Sequence, residues 1–316
     1  MKPLLFAAAL MLSAATLAQA PAPSPVATTQ AVGGEVAVIT AEQVAESAKR
    51  ARAAFAADSS QTPNTRRPLL SATPYALTLE HRFGKQSAST HATVAELLFV
   101  IEGSGSVTTG GTLLGAGATN NGNTVGTDIE NGTRRRFTVG DMILVPEGTP
   151  HSLAPDPGQA LIVASMYAPR TGRFAPPATA GATPPKTFHA AADLPAMMAK
   201  AKAALPTSAR FFGGDTIMTL PPYRIGLEYR SPKGIASVHT LNAEIMMVLE
   251  GEGFIEAGGA LVGGRANGTN IDGDSIEGGF VYKMKKGDII FVPRAVPHLA
   301  RSEGTFVLAT MHLPAD

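Results

Sequence analysis

The chain has 316 residues, no cysteine, seven histidines and a formal net charge of +1. The missing cysteines exclude disulfides, thiolate metal sites and a bacterial lipid-anchor cysteine, so any metal must be held by nitrogen and oxygen. A near-neutral chain without a basic stripe of interleaved aromatics excludes nucleic acid as a designed partner, and Arg134-Arg135-Arg136 is too short a run to change that.

In chain order, residues 1–20 read as an export signal: Lys2 is the basic region, Leu4 to Leu12 the apolar run, and Ala18 and Ala20 the small residues of a cleavage site. That run is shorter than the roughly 20 apolar residues needed to span a bilayer. A periplasmic or secreted protein with no membrane anchor is therefore expected. Residues 21–39, rich in Pro, Ala, Thr and Val without a period, read as a linker. Thr40-Ala41-Glu42-Gln43 has the form of a capping box and opens a helix running to Ala57. A comparable helix is expected over Asp193 to Leu205, with Asp193 as cap and Pro195 in the first turn.

Behind each helix stands the same pattern, used twice. Pro74-Tyr75, Leu79-Glu80, Arg82, Ser89, His91, Ala95-Glu96, Val100 and Glu102-Gly103 recur as Pro222-Tyr223, Leu227-Glu228, Arg230, Ser237, His239, Ala243-Glu244, Val248 and Glu250-Gly251, at a constant offset of 148. After one deleted residue, Ile129-Glu130, Gly140-Asp141, Val145-Pro146 and Pro150-His151 recur as Ile276-Glu277, Gly287-Asp288, Val292-Pro293 and Pro297-His298. The chain is a tandem duplication, with units expected over 40–186 and 187–316. Short β-branched and apolar runs separated by Gly, Pro, Asn and Asp predict an all-β sandwich or barrel in each unit. Ile245-Met246-Met247-Val248-Leu249 is apolar on both faces, which requires cover from both sides, as where one barrel packs on another.

The histidines and glutamates of the repeat resemble the two motifs of the cupin superfamily. Ser89-Thr90-His91, Glu96 and Gly103 are similar to the first, and Gly140, Pro146, Gly148 and His151 to the second; Ser237-Val238-His239, Glu244, Gly251, Gly287, Pro293 and His298 repeat them. The resemblance implies two tandem cupin barrels (a double-stranded β-helix or jelly roll), each with a short preceding helix. It also implies a divalent metal held by His91, Glu96 and His151 and by His239, Glu244 and His298. Serine stands at the superfamily's first histidine position in both units, so each site offers two His and one Glu. Such a set suits Fe, Mn, Zn, Ni or Cu. Ala295 replaces the turn glycine, which places the more dependable metal site in the first unit.

Around these motifs, Glu102, Glu250, Asp141 and Asp288 read as turn residues. Met246, Met247, Phe99 and Phe291 read as core, and Arg294 as a solvent-facing residue that could alternatively grip a substrate carboxylate. His81 and His312 align with tyrosines and read as strand residues lining or capping a barrel, and His189 as structural. The Gly- and Asn-rich spacers after Gly103 and Gly251 read as loops or extra hairpins over each barrel mouth. The resemblance implies oxygenase, isomerase, lyase or decarboxylase chemistry on a small oxygenated organic molecule. The opposing reading is a non-catalytic periplasmic protein that binds a small ligand or metal. Barrel surfaces also offer a route to homo-oligomers. No catalytic residue beyond the metal sets is singled out.

Overall fold

A computed structural model describes residues 29–30, 35–57, 64–176, 184–205 and 211–315; the expected export signal lies outside them. The repeat folds as two β-barrels. The first curls from a sheet containing strands Asn64–Ala72, Tyr75–Phe83, Ala160–Pro169, Val94–Glu102 and Met142–Val145, facing a sheet of Thr133–Phe137, Gly105–Thr109, His151–Pro155, Ala88–His91 and Asn123–Gly126. The second uses the equivalent strands, joined into one sheet by the 16-residue strand Asn242–Ala257.

Strand alternation explains the doubly apolar runs. Leu98 and Val100 point into the first barrel, where they pack with Val107, Phe137, Ile143, Val145 and Leu153. Their neighbours Leu97 and Phe99 point outward, into a core shared by both barrels. Met246 and Val248 likewise fill the second barrel, while Ile245 and Met247 join the shared core. Each fully buried Leu of this kind contributes about 1.5–3 kcal/mol relative to exposure. Two tyrosines lock the shared face by reaching across it: Tyr75 donates its hydroxyl proton to Pro314 O at 2.7 Å, and its repeat partner Tyr223 donates to Pro169 O at 2.6 Å.

The two units are stitched more deeply than the repeat boundaries suggest. Ala37–Ile39, read in sequence as linker, is a strand paired with Ile289, Ile290 and Phe291 of the second barrel. Phe188–His189, ahead of the second helix, pairs with Met142 and Ile143 of the first. The helices then pack on their own barrels. Helix Ala41–Ala57 begins with the expected capping box, Gln43 N donating to Thr40 Oγ1 and Thr40 N to Gln43 Oε1. Its first amide, Ala41 N, also donates to Asp288 Oδ1 at 2.7 Å, across the unit boundary. Ala191 N mirrors this with Asp141 Oδ1 at 2.7 Å. The other carboxylate oxygens accept from Thr138 N and Lys285 N in their own turns. Asp141 and Asp288 are therefore turn residues, as expected, and also clamps between units. The second helix is Leu194–Ala204 with Pro195 in its first turn, but Asp193 makes no side-chain capping bond, because its backbone is already helical.

The spacers are structured. Within the first, Thr112–Leu114 pairs with Asp128–Glu130, and Asn123–Gly126 adds to the sheet edge beside Ala88–His91; the second repeats the arrangement with Ala260–Val262, Ser275–Glu277 and Asn270–Gly273. The arginine run lies on the exposed strand Thr133–Phe137, where Arg136 pairs with Asp156.

Candidate metal centre

Each expected ligand triad comes together inside its barrel. His91 ends the strand Ala88–His91, Glu96 stands on Val94–Glu102 and His151 opens His151–Pro155. The Pro150-His151 entry and the adjacent pairing of His151 with Ser89 bring the last ligand beside the first. His91 Nε2 lies 3.4 Å and His151 Nε2 2.9 Å from Glu96 Oε2. In the second barrel, His239 Nε2 and His298 Nε2 lie 3.3 and 3.0 Å from Glu244 Oε2. The six residues are buried or nearly so, and within each triad one donor atom per residue lies within 4.8 Å of the others.

The remaining ring nitrogens determine what these clusters can do. His151 Nδ1 donates to Thr149 O at 3.0 Å, and His298 Nδ1 to Val296 O at 3.1 Å; a carbonyl can only accept, so the proton is on Nδ1. His91 Nδ1 meets Asn123 Oδ1 at 2.6 Å, and His239 Nδ1 meets Asn270 Oδ1 at 3.1 Å. In the neutral histidines all four Nε2 lone pairs then face a carboxylate oxygen. Glu96 Oε2 is buried with no hydrogen-bond partner. Three inward-facing lone pairs per barrel are a donor set that a cation can satisfy, and outer hydrogen bonds that fix the tautomer are how metal-binding imidazoles are oriented. The donor set therefore fits a divalent metal.

Without a metal, protons fill that role. Burial pushes His91 and His239 down, but their contacts with the glutamates and asparagines outweigh it and raise both above the ordinary imidazole value of 6.5. Burial pushes Glu96 and Glu244 up, yet the facing histidines overcome it and hold both well below 4.5.

The two triads have matching geometry, so the spacing of the donor atoms does not distinguish the first unit from the second. Ala295 does adopt the left-handed conformation, at φ +64°, as Gly148 does at +68°. The strain stays in the turn, however. Ala295 N donates to His239 O at 2.9 Å, as Gly148 N does to His91 O at 2.7 Å, so the turn is tied to the ligand strand in both barrels.

Beyond the ligands, Asn123 and Asn270 were missed; both sit in the spacers, and their recurrence at the second-half offset was the available signal. Ser89 Oγ is 3.3 Å from His151 Nε2, whereas Ser237 donates to Asp272 Oδ1 at 2.9 Å. His312 was expected to line or cap the barrel and does so beside the second triad, with Nε2 4.0 Å from Glu244 Oε1 and its ring edge-on to His239 at 4.4 Å. His81 instead stacks against Phe55, outside the barrel, and burial lowers it; His189 is buried and likewise lowered. Arg294 is exposed, reaching Thr240 O at 3.5 Å. Glu102 and Glu250 are surface residues paired with Arg52 and Lys286.

No protein-family profile and no curated protein matches the chain. Solved structures do. The salicylate 1,2-dioxygenase of Pseudaminobacter salicylatoxidans is similar over 88% of this chain and 84% of its own, with a TM-score of 0.58 and 14% identity. An adduct of the same enzyme with gentisate gives a TM-score of 0.56 and 15% identity, covering 88% of this chain and 81% of its own. At such identities the likeness is one of fold, and the fold is the tandem cupin barrel.

Proposed function

We propose that the chain is an exported, metal-dependent bicupin enzyme acting on a small oxygenated organic acid. The observation that carries this reading is the pair of buried triads in which two Nε2 lone pairs and a carboxylate oxygen converge. In this reading His91, Glu96 and His151 hold one divalent ion and His239, Glu244 and His298 another. A bound ion of this kind supplies Lewis-acid polarisation of a substrate oxygen and, where the metal is redox-active, oxidation chemistry. The chain's own contribution is to orient. Asn123, Asn270, Thr149 O and Val296 O hold the four imidazoles with Nε2 inward, and the apolar barrel walls restrict water around them.

Salicylate and gentisate, named with the structural neighbour, are the first substrates to try. The test is to load purified protein with Fe(II), Mn(II), Zn(II), Ni(II) or Cu(II) in turn and monitor oxygen consumption and product formation with a panel of aromatic and aliphatic hydroxy acids. Turnover on at least one acid supports the enzyme. Metal uptake and ligand binding without turnover would favour the non-catalytic binder. Export is tested separately, by mass spectrometry of protein recovered from cells; a chain still carrying Met1 to Leu12 contradicts it.

A further inference from the structure

The barrels share their ligands but not the rest of their mouths. Arg66 and Gly214 occupy equivalent positions, each opposite the buried glutamate of the neighbouring strand, Glu80 or Glu228. Tyr167 and His312 are equivalent as well, each opposite the ligand glutamate, Glu96 or Glu244. Ala76 and Arg224 form a third such pair.

In the first barrel these residues make a strap. Arg66 donates from Nη2 to the Tyr167 hydroxyl at 2.9 Å, while its Nε lies 3.0 Å from Glu80 Oε1. The Tyr167 ring stands edge-on to His91 at 5.0 Å, so the strap begins against a metal-ligand histidine and ends on a buried carboxylate. Arg66 keeps about half of its side chain exposed, so the strap is held by one hydrogen bond to the Tyr167 hydroxyl and one ion pair to the buried Glu80.

In the second barrel the strap is gone. Gly214 has no side chain to cross the mouth, and a cavity of about 950 Å³ opens there, lined by Gly214, Arg224, His239, His298 and His312 among others. His312 keeps 46% of its side chain exposed and faces the glutamate oxygen that does not meet the two ligand histidines. It stands beside the triad, placed to touch whatever lies in front of it. Of the acids lining the cavity, Glu228 is paired with Arg230, while Asp272 accepts hydrogen bonds from the neutral Ser237 and Asn267. Arg224 likewise spends its hydrogen bonds on neutral oxygens, Thr216 Oγ1 and Asp215 O, and stands in the cavity wall with His239, His298 and His312. A guanidinium bonded to neutral groups, an imidazole and a cation site around one cavity favour a negatively charged occupant.

We infer that only the second barrel opens its metal site to a ligand from solution, that this ligand is a small organic anion, and that His312 and Arg224 are the residues that meet it. The Arg66–Tyr167 strap closes the first barrel and leaves its metal as a structural ion. This division of labour rests on the proposed metal function.

The test uses full-length protein loaded with Co(II), with azide as the anionic probe and visible absorption as the readout. Cobalt stoichiometry is measured first; a chain that takes up no cobalt refutes the metal function itself, and the inference with it. Given uptake, azide should shift the spectrum of the wild type and of Glu96→Gln, which keeps the second site, and leave that of Glu244→Gln unchanged. The double variant Gly214→Arg/His312→Tyr rebuilds the strap; a Cβ at position 214 meets nothing closer than 3.5 Å, so the backbone there accepts a side chain without a clash at its root. It should keep its cobalt and bind azide at least tenfold more weakly, and Arg224→Ala should weaken azide several-fold. In the Glu244→Gln background, Arg66→Gly/Tyr167→His should create an azide response. Equal azide affinity at the two sites, read in the single-site variants whose mouths are wild type, overturns the inference. So does a strapped second barrel that holds cobalt and binds azide within twofold of wild type.

Discussion

Replacing Ala295 by glycine should stabilise the protein. Ala295 sits at φ +64°, a region in which an L-residue pays roughly 1–2 kcal/mol that glycine does not. Against this stands the greater freedom of glycine in the unfolded chain, worth about 0.4–1 kcal/mol. The balance is a gain of ~0.5–1 kcal/mol. Gly148 provides the mirror experiment: it has φ +68° and an added Cβ would meet nothing within 4 Å, so Gly148→Ala isolates the backbone cost from any clash. Thermal unfolding of the metal-free proteins, monitored by circular dichroism with urea midpoints in parallel, is the assay. For a chain of this size, Ala295→Gly should raise the melting temperature by about 1–4 °C and Gly148→Ala should lower it by a similar amount. Neither substitution should alter the number of metal ions bound, since both triads have the same spacing. A destabilised Ala295→Gly together with a neutral Gly148→Ala would refute the strain argument, and loss of metal from Gly148→Ala would show that the turn positions the ligand after all.

The triads themselves carry two more expected outcomes. Asn123→Ala and Asn270→Ala remove the groups that fix the His91 and His239 tautomers, so each should weaken metal binding at its own site by about 10–100-fold in a competition titration, with the fold retained. The pH dependence should reverse on loading. In the metal-free chain the raised histidines contribute stability that is complete below 6.5 and lost as pH climbs through their folded values. The lowered glutamates contribute stability present above 4.5 and lost as pH falls through theirs. Both are therefore intact between 4.5 and 6.5. Metal must displace the histidine protons, so the rise in melting temperature on adding metal should grow from about pH 5 to about pH 8, with proton release detectable in weakly buffered solution. A metal-induced shift that is flat across this range would contradict the assigned ligands.

Much of this architecture was legible because a duplication writes each constraint twice. The fixed offset exposed both barrels, and Ile245 to Leu249 announced a covered outer face that turned out to be the shared core. The candidate ligands were legible through their resemblance to known motifs, and the structure brings each set together. What escaped depended on long-range register. Ala37–Ile39 has no local pattern to distinguish a linker from a strand, because its partner lies about 250 residues away in the other unit. The same holds for the clamps made by Asp141 and Asp288, whose turn role is local and whose second bond is not. Arg66 and Gly214 fall where the repeats differ, so a search for sameness passed over the position that separates the two mouths. Asn123 and Asn270 were hidden in Gly- and Asn-rich spacers whose composition reads as loop.

The most direct test is metal stoichiometry. Protein stripped with chelator, reloaded with a single divalent metal and desalted should carry two ions per chain in the wild type and one in each of Glu96→Gln and Glu244→Gln, because each substitution removes the charge on which one triad converges. The double variant should carry none. Wild-type protein that stays metal-free under every loading condition, or single variants that still bind two ions, would contradict the assignment of these six residues as ligands.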